Sequence, residues 1–421
     1  MTNKTNNRIL LALLLAGASA SAWAQSGPQL TTLYTFTDPG PSTGFGPDYT
    51  LTVGKGGALY GATVAGGKSN DGVVFALTPP KSPGDAWSEQ ALHSFSPSAG
   101  DVPDAPLVLG ANGVLYGCTG GKKNYGGRVN NGVVYSLTPP SASGQPWQYK
   151  ILYNFGPPVD EGPDSIALGS DGSIYGFNQS GGTNFTGSLF SLTPPASSGG
   201  SWTETTLYSF PADGNEGFPS NLVMRAGVLY GTGFAAKPRN AGIVFSLTPP
   251  SSAGGVWTQT TLAETQYPAD GLAIGSSGAL YGTITSGGPA TNGCEGSGGC
   301  GTVFSLTPPA SPGGAWTEET IYSFTGGTDG FFPMPGLLAG AGDVLYGATD
   351  LGGPNGYGTL FSLTPPASPG GSWTYTLLYS FSNVGDGSYP DGVVFGPGGF
   401  LYGTTDGDGE TTFGTVFALR L

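Results

Sequence analysis

Short runs of apolar and hydroxyl-bearing residues alternate along this chain with clusters of Gly, Pro, Asn and Asp. Runs of that kind bounded by turn formers predict strands joined by tight loops rather than helices. The runs also repeat. A Leu/Ile-Tyr-Gly phrase centres on Tyr60, Tyr116, Tyr175, Tyr230, Tyr281, Tyr346 and Tyr402, at spacings between 51 and 65 residues. Seven similar units of this size mark a solenoid, a propeller or an array, in which each unit buries its apolar faces against its neighbours.

The third unit shows the layout. Ser165–Leu168 is a short strand, Asp171-Gly172 a hairpin turn and Ser173–Phe177 a second strand. A Gly-rich loop leads to a third, Ser188–Leu192. Thr193-Pro194-Pro195 ends it, because proline has no N–H to give a ladder, and Trp202–Phe210 is the fourth. Four strands in each of seven units predict an all-β fold, a seven-bladed β-propeller of four-stranded antiparallel blades. Strict apolar-polar alternation is poor, as expected for a blade covered on both faces. Trp87, Trp147, Trp202, Trp257, Trp316 and Trp373 open the fourth strand of six units, which assigns them to blade packing ahead of ligand stacking.

The last unit stops after its third strand, Gly414–Leu421, with no Pro-Pro and no Trp. The missing phrase stands at the other end: Gln29–Phe36 closes on Leu-Tyr-Thr-Phe, as Trp316–Phe324 closes on Ile-Tyr-Ser-Phe. The N-terminal strand is therefore expected to complete the last blade and close the ring, which removes open sheet edges.

The combined phrase Gly-x-Leu-Tyr-Gly-Thr-Thr, Gly-Thr-Val-Phe-Ser-Leu-Thr-Pro-Pro, Gly-Gly-x-Trp-Thr and Leu-Tyr-Ser-Phe resembles the GloVer tandem-repeat family of secreted bacterial proteins. The resemblance implies export and a propeller-like repeat and supplies no catalytic residue. Family members are similar in carrying surface anchors after the repeats, and this sequence ends at Leu421 without one.

Composition sharpens the address. Residues 1–24 read as a signal peptide: Lys4 and Arg8, an apolar run from Ile9 to Ala18, then Ala22-Trp23-Ala24. Residues 25–421 are left as one propeller domain, with no later stretch long enough to span a membrane, so the expected destination is periplasmic or extracellular. Gly 77 and Pro 36 exceed a quarter of the chain, a level that suggests low complexity unless, as here, they recur in register. A formal charge of -14 excludes nucleic acid as a partner. Cys294 and Cys300 are close enough to staple one loop in an oxidising compartment, while Cys118 is expected on a buried strand.

Candidate chemistry falls into three groups. Pro-Asp or its variant precedes the inner strands of five units, giving Asp48, Asp104, Asp164, Asp270 and Asp391; units four and six have Ser220 and Met334 near that point. In a propeller these carboxylates form a broken ring near the central channel, or else each caps its own turn. Basic residues gather in the loops between second and third strands: Lys122, Lys123 and Arg128, with Tyr125, in unit two, and Lys237 and Arg239 in unit four. They suit an anionic glycan or a carboxylate, or serve solubility. Asp406, Asp408 and Glu410 in unit seven form a candidate calcium loop, calcium being a hard cation that takes oxygen ligands. His93 is the single histidine and replaces a repeated tyrosine, so triad chemistry has no partner set.

These features predict a secreted, monomeric, non-catalytic binding propeller for an extracellular carbohydrate or protein. The alternatives are a carboxylate-dependent glycoside hydrolase or polysaccharide lyase on the same scaffold, and a structural envelope component.

Overall fold

The computed structural model describes residues 27–421 except 38–42, 83, 97–101, 121–131, 143, 157–161, 180, 198, 213–216, 236–240, 253–254, 292, 295–297, 312, 369 and 408–412. Seven antiparallel sheets stand in a ring. Blade 3 runs Ser165–Leu168, Ile174–Asn178, Ser188–Thr193 and Thr203–Ser209, within a residue or two of the expected bounds. In blade 7 the N-terminal strand Gln29–Thr35 pairs antiparallel with Thr415–Arg420, Gln29 opposite Arg420 and Thr35 opposite Thr415. Both chain ends thus lie in one sheet. Among the described residues no helix is long and apolar enough to cross a membrane.

The repeated phrase follows from how blades stack. Its Leu is fully buried, as at Leu59, Leu115 and Leu229. Its Gly makes room for the aromatic ring of the third strand: a Cβ on Gly61 would lie 2.5 Å from Phe75, and one on Gly347 would lie 2.7 Å from Phe361. Its Tyr meets the next blade's Trp edge-on, Tyr60 with Trp147 at 5.8 Å and Tyr281 with Trp373 at 5.8 Å. The ring joint repeats this contact between Tyr402 and Trp87 at 6.3 Å. A second interblade layer sits deeper, where the closing Phe of one blade packs on the central ring of the next: Phe36 on Phe75, Phe155 on Phe190 and Phe381 on Phe417, all at 5.1–5.4 Å. Such pairs add about 0.5–1.5 kcal/mol each beyond area burial.

Poor alternation has a second cause besides two-sided cover. In every blade the ladder between third and fourth strands shifts register at one point, for example between Val74 and Phe75 opposite His93 and Ala91. A bulge there reverses the strand's phase halfway along, so no single period fits it.

Candidate functional site

The Pro-Asp step places one residue at the same point of each blade. The backbone N–H of Asp104, Asp164, Asp270 and Met334 donates to the carbonyls of Cys118, Phe177, Thr283 and Ala348, at 3.2, 3.3, 2.9 and 3.0 Å. Asp48 pairs with Ala62 in the same register. Identical backbone positions around a ring bring the side chains to its axis. There they line one cavity of ≈ 910 Å³, which takes residues from all seven blades, including Asp48, Asp104, Asp164, Asp270 and Asp391. Ser220 and Met334 occupy the two interruptions, and Pro106, Ile166, Leu222 and Leu272, further along the strands, give an apolar wall.

The carboxylates are held in different ways rather than by one repeated cap. Asp48 Oδ1 accepts the N–H of Tyr49 at 2.9 Å. Tyr49 itself has φ 71°, in the left-handed region that bulky residues avoid, and its hydroxyl donates to Asp104 Oδ1 of the next blade at 2.9 Å. Burial, then Asp104 and Asp48, push the Tyr49 phenol far above its ordinary range, so it stays a donor. Asp104 lies over Gly120, where any Cβ would meet its carboxylate. Asp270 Oδ2 accepts the N–H of Thr285 at 2.8 Å and also its hydroxyl. Asp391, 5% exposed, accepts the Thr404 hydroxyl at 3.0 Å.

Among the described residues no Lys, Arg or His lines this cavity. Burial, then Asp406, Asp48 and Asp350, push the Asp391 carboxyl well above the usual carboxylate range. Asp406 keeps an exposed edge, yet lost hydration and then Asp48 and Asp350 push it up to about 6. Burial also raises Asp350, and Asp270 against the lowering effect of its Thr285 bonds. The seam of blades 6, 7 and 1 thus crowds carboxyls whose proton affinity is raised by burial and by one another.

Other carboxylates serve their own loops. Asp329, buried, accepts Tyr322 hydroxyl at 3.0 Å and both groups of Thr325 at 2.9 and 2.7 Å. Asp386 is held alike by Tyr379 and Ser382 at 2.9 Å.

Of the remaining candidates, Lys122, Lys123, Tyr125, Arg128, Lys237, Arg239, Asp408 and Glu410 lie outside the described residues, as do residues 1–24, the expected signal peptide. Asp406 stands beside the acidic seam, and no group of three metal-ligating side chains occurs among the described residues. Cys294 and Cys300 form a disulfide, and Cys118 is buried on its strand. His93 stacks on Tyr149 at 3.8 Å in the outer strands, where burial pushes it down to about 4.

The sequence reading missed an aromatic set ahead of the ring prolines. The residue before the ring proline is Phe218, Phe332 or Tyr389 in blades 4, 6 and 7, each left-handed at φ 48°, 57° and 58°. Other aromatics lie beside them: Phe331, the preceding residue of the same strand, packs edge-on to Phe332 at 4.8 Å, and Tyr357 of blade 6 lies 6.5 Å from Tyr389. The available signal was an aromatic immediately ahead of Pro-Asp or its variant.

Comparison with known proteins agrees with this architecture. The chain belongs to the family described as the Gloeobacter/Verrucomicrobia repeat, whose model matches residues 20–163, 121–295 and 294–421. No curated protein matches the sequence. A streptogramin B lyase structure is similar at 16% identity and TM-score 0.54, over 94% of this chain and 98% of the other. A polysaccharide lyase structure, an ulvan lyase, is similar at 10% identity and TM-score 0.54, over 92% and 95%. At such identities the likeness is one of fold.

Proposed function

We propose, taking membership of this repeat family as the starting point, that the protein is an exported propeller that binds carbohydrate in its axial cavity without transforming it. One observation carries the reading: five aspartates from five blades converge on a single cavity. Ionised carboxylates accept hydrogen bonds from vicinal hydroxyls, and protonated ones donate to them, so a mixed set suits a polyol. The apolar wall fits the C–H faces of a sugar ring. A cavity of this volume lies within the usual range for a small ligand, roughly 300–1,000 Å³. The five aspartates and a formal chain charge of -14 disfavour uronates and sulfated sugars, so the ligand class is neutral glycan. The Cys294–Cys300 bond supports an oxidising destination.

The test is a glycan array carrying neutral and uronate-containing members, read at pH 5 and pH 7. Retention confined to neutral glycans supports the proposal, and retention of uronates alone overturns it.

A second reading is favoured by the raised carboxyls of Asp391 and Asp406 beside other carboxylates, an arrangement that serves as acid and base in glycoside cleavage. Its test follows each retained glycan for new reducing ends. Release that disappears in Asp391→Asn with folding intact moves the cavity from binding site to active site; equal background in both proteins leaves binding alone.

A further inference from the structure

We infer that the glycan leaves the axial cavity over the junction of blades 3 and 4, where Phe185, Phe218 and Phe234 form a second subsite that stacks its outer sugar residues. This rests on the carbohydrate reading of the cavity and extends it to an oligosaccharide of several neutral residues. Phe185, Phe218 and Phe234 are 55%, 42% and 45% exposed, and they are the aromatic members among the large exposed apolar side chains of the described residues. The backbone brings their segments together. The N–H of Phe218 donates to Thr186, next to Phe185, at 2.7 Å, and Phe234 pairs in register with Gly217.

Their position relative to the cavity is equally direct. Ser220 and Asn221, two and three residues beyond Phe218, line it, as does Gln179 of blade 3. In blade 4 the ring carboxylate is replaced by Ser220, so the gap in the charged ring and the exposed aromatic side chains fall in the same sector. A sugar chain passing there meets hydroxyl and amide groups, then aromatic faces.

Backbone strain points the same way. Phe185 and Phe218 sit at φ 57° and 48°, a region unfavourable for bulky residues and more so for one preceding proline. Blade 1 makes the equivalent turn with Gly46 at φ 61°. Glycine adopts that conformation without a steric penalty, so the fold does not require a phenyl ring at Phe218. Strained residues persist where the surroundings over-determine them, and they gather at binding sites. An aromatic face with no charge partner, continuous with a polyol-binding cavity, matches the C–H face of a pyranose.

The experiment is calorimetric titration of the full chain with cello-, laminari- and manno-oligosaccharides of one to six residues. Wild type is compared with a Phe185→Ala, Phe218→Ala, Phe234→Ala triple variant and with Phe218→Gly. Affinity of the wild type should rise at least tenfold with chain length in one series. The triple variant should keep the affinity for the shortest binding member and lose that rise. Phe218→Gly should lose part of the rise with an unchanged or higher melting temperature, since it removes a strained ring. Binding of short members with no length dependence, or a rise that survives in the triple variant, overturns the subsite and leaves the cavity reading intact. A melting temperature that falls in Phe218→Gly would assign the ring to packing and overturn the subsite as well. A wild type that binds no member of any series overturns the cavity reading and this inference with it.

Discussion

The outer half of each blade and its axial end obey different rules. Outside, blades are nearly interchangeable: the same Leu-Tyr-Gly and the same central ring recur, six blades carry the tryptophan, and the Tyr–Trp and Phe–Phe contacts repeat at most of the joints. At the axis the same backbone position carries Asp, Asp, Asp, Ser, Asp, Met and Asp, and even the aspartates differ in what holds them. Uniform residues are what stacking demands. Varied residues on a uniform backbone have no packing reason to vary, and that is where a ligand is to be sought. The loop carboxylates Asp329 and Asp386 mark the contrast, since tyrosine, hydroxyl and backbone groups of their own loops engage them.

The largest effect should come from removing residues 27–36. Without Gln29–Thr35 blade 7 exposes Thr415–Arg420 as an open edge and Phe36 no longer covers Phe75. Circular dichroism and light scattering should show lost cooperative melting and aggregation; an unchanged melting curve would break the ring account. Next, Phe190→Ala removes a fully buried ring and should cost about 3–5 kcal/mol in urea unfolding. Trp147→Ala, half-buried against Tyr60, should cost about 2 kcal/mol. Equal losses at both would blur the distinction between deep and peripheral interblade layers.

Replacing Cys294 and Cys300 by Ser should remove about 2 kcal/mol or less, because the bridge closes a short loop, and glycan retention should persist. The smallest effect concerns pH. Asp391 and Asp406 have folded pKa values above the unfolded value of 3.8, so between the two the folded form binds the extra proton. Their contribution is therefore most favourable at low pH and declines as pH rises through about 6 for Asp406 and further for Asp391. Asp391→Asn keeps an acceptor for Thr404 and should raise the melting temperature by about 2 °C at pH 7 and by less at pH 4, as read by calorimetry. A variant less stable than wild type at pH 7 would show that the ionised carboxylate is welcome there.

Much of this was legible in the residues. Seven Tyr-centred phrases, a last unit lacking a fourth strand and an N-terminal phrase that supplies it were enough for the ring. Five Pro-Asp steps in register were enough to bring the aspartates to the axis, because identical positions on a closed ring converge. What stayed hidden depends on three-dimensional neighbours or on backbone angles. Tyr49 reaches Asp104 across 55 positions of sequence. The bulge in each fourth strand has no residue signature. A residue before proline is normally extended, so the left-handed turns that turn Phe218, Phe332 and Tyr389 out from the chain path were not foreseeable from sequence. The raised proton affinity of Asp391 and Asp406 depends on which carboxylates crowd together.

The central claim is that the axial carboxylates serve a ligand rather than the fold. Its most direct test is Asp104→Asn combined with Asp164→Asn, measured in parallel for melting temperature and for retention on the neutral glycan that wild type holds most tightly. The account predicts a melting temperature within about 2 °C of wild type and an affinity reduced at least tenfold. Affinity unchanged, or lost only together with a collapse of the melting temperature, would contradict it.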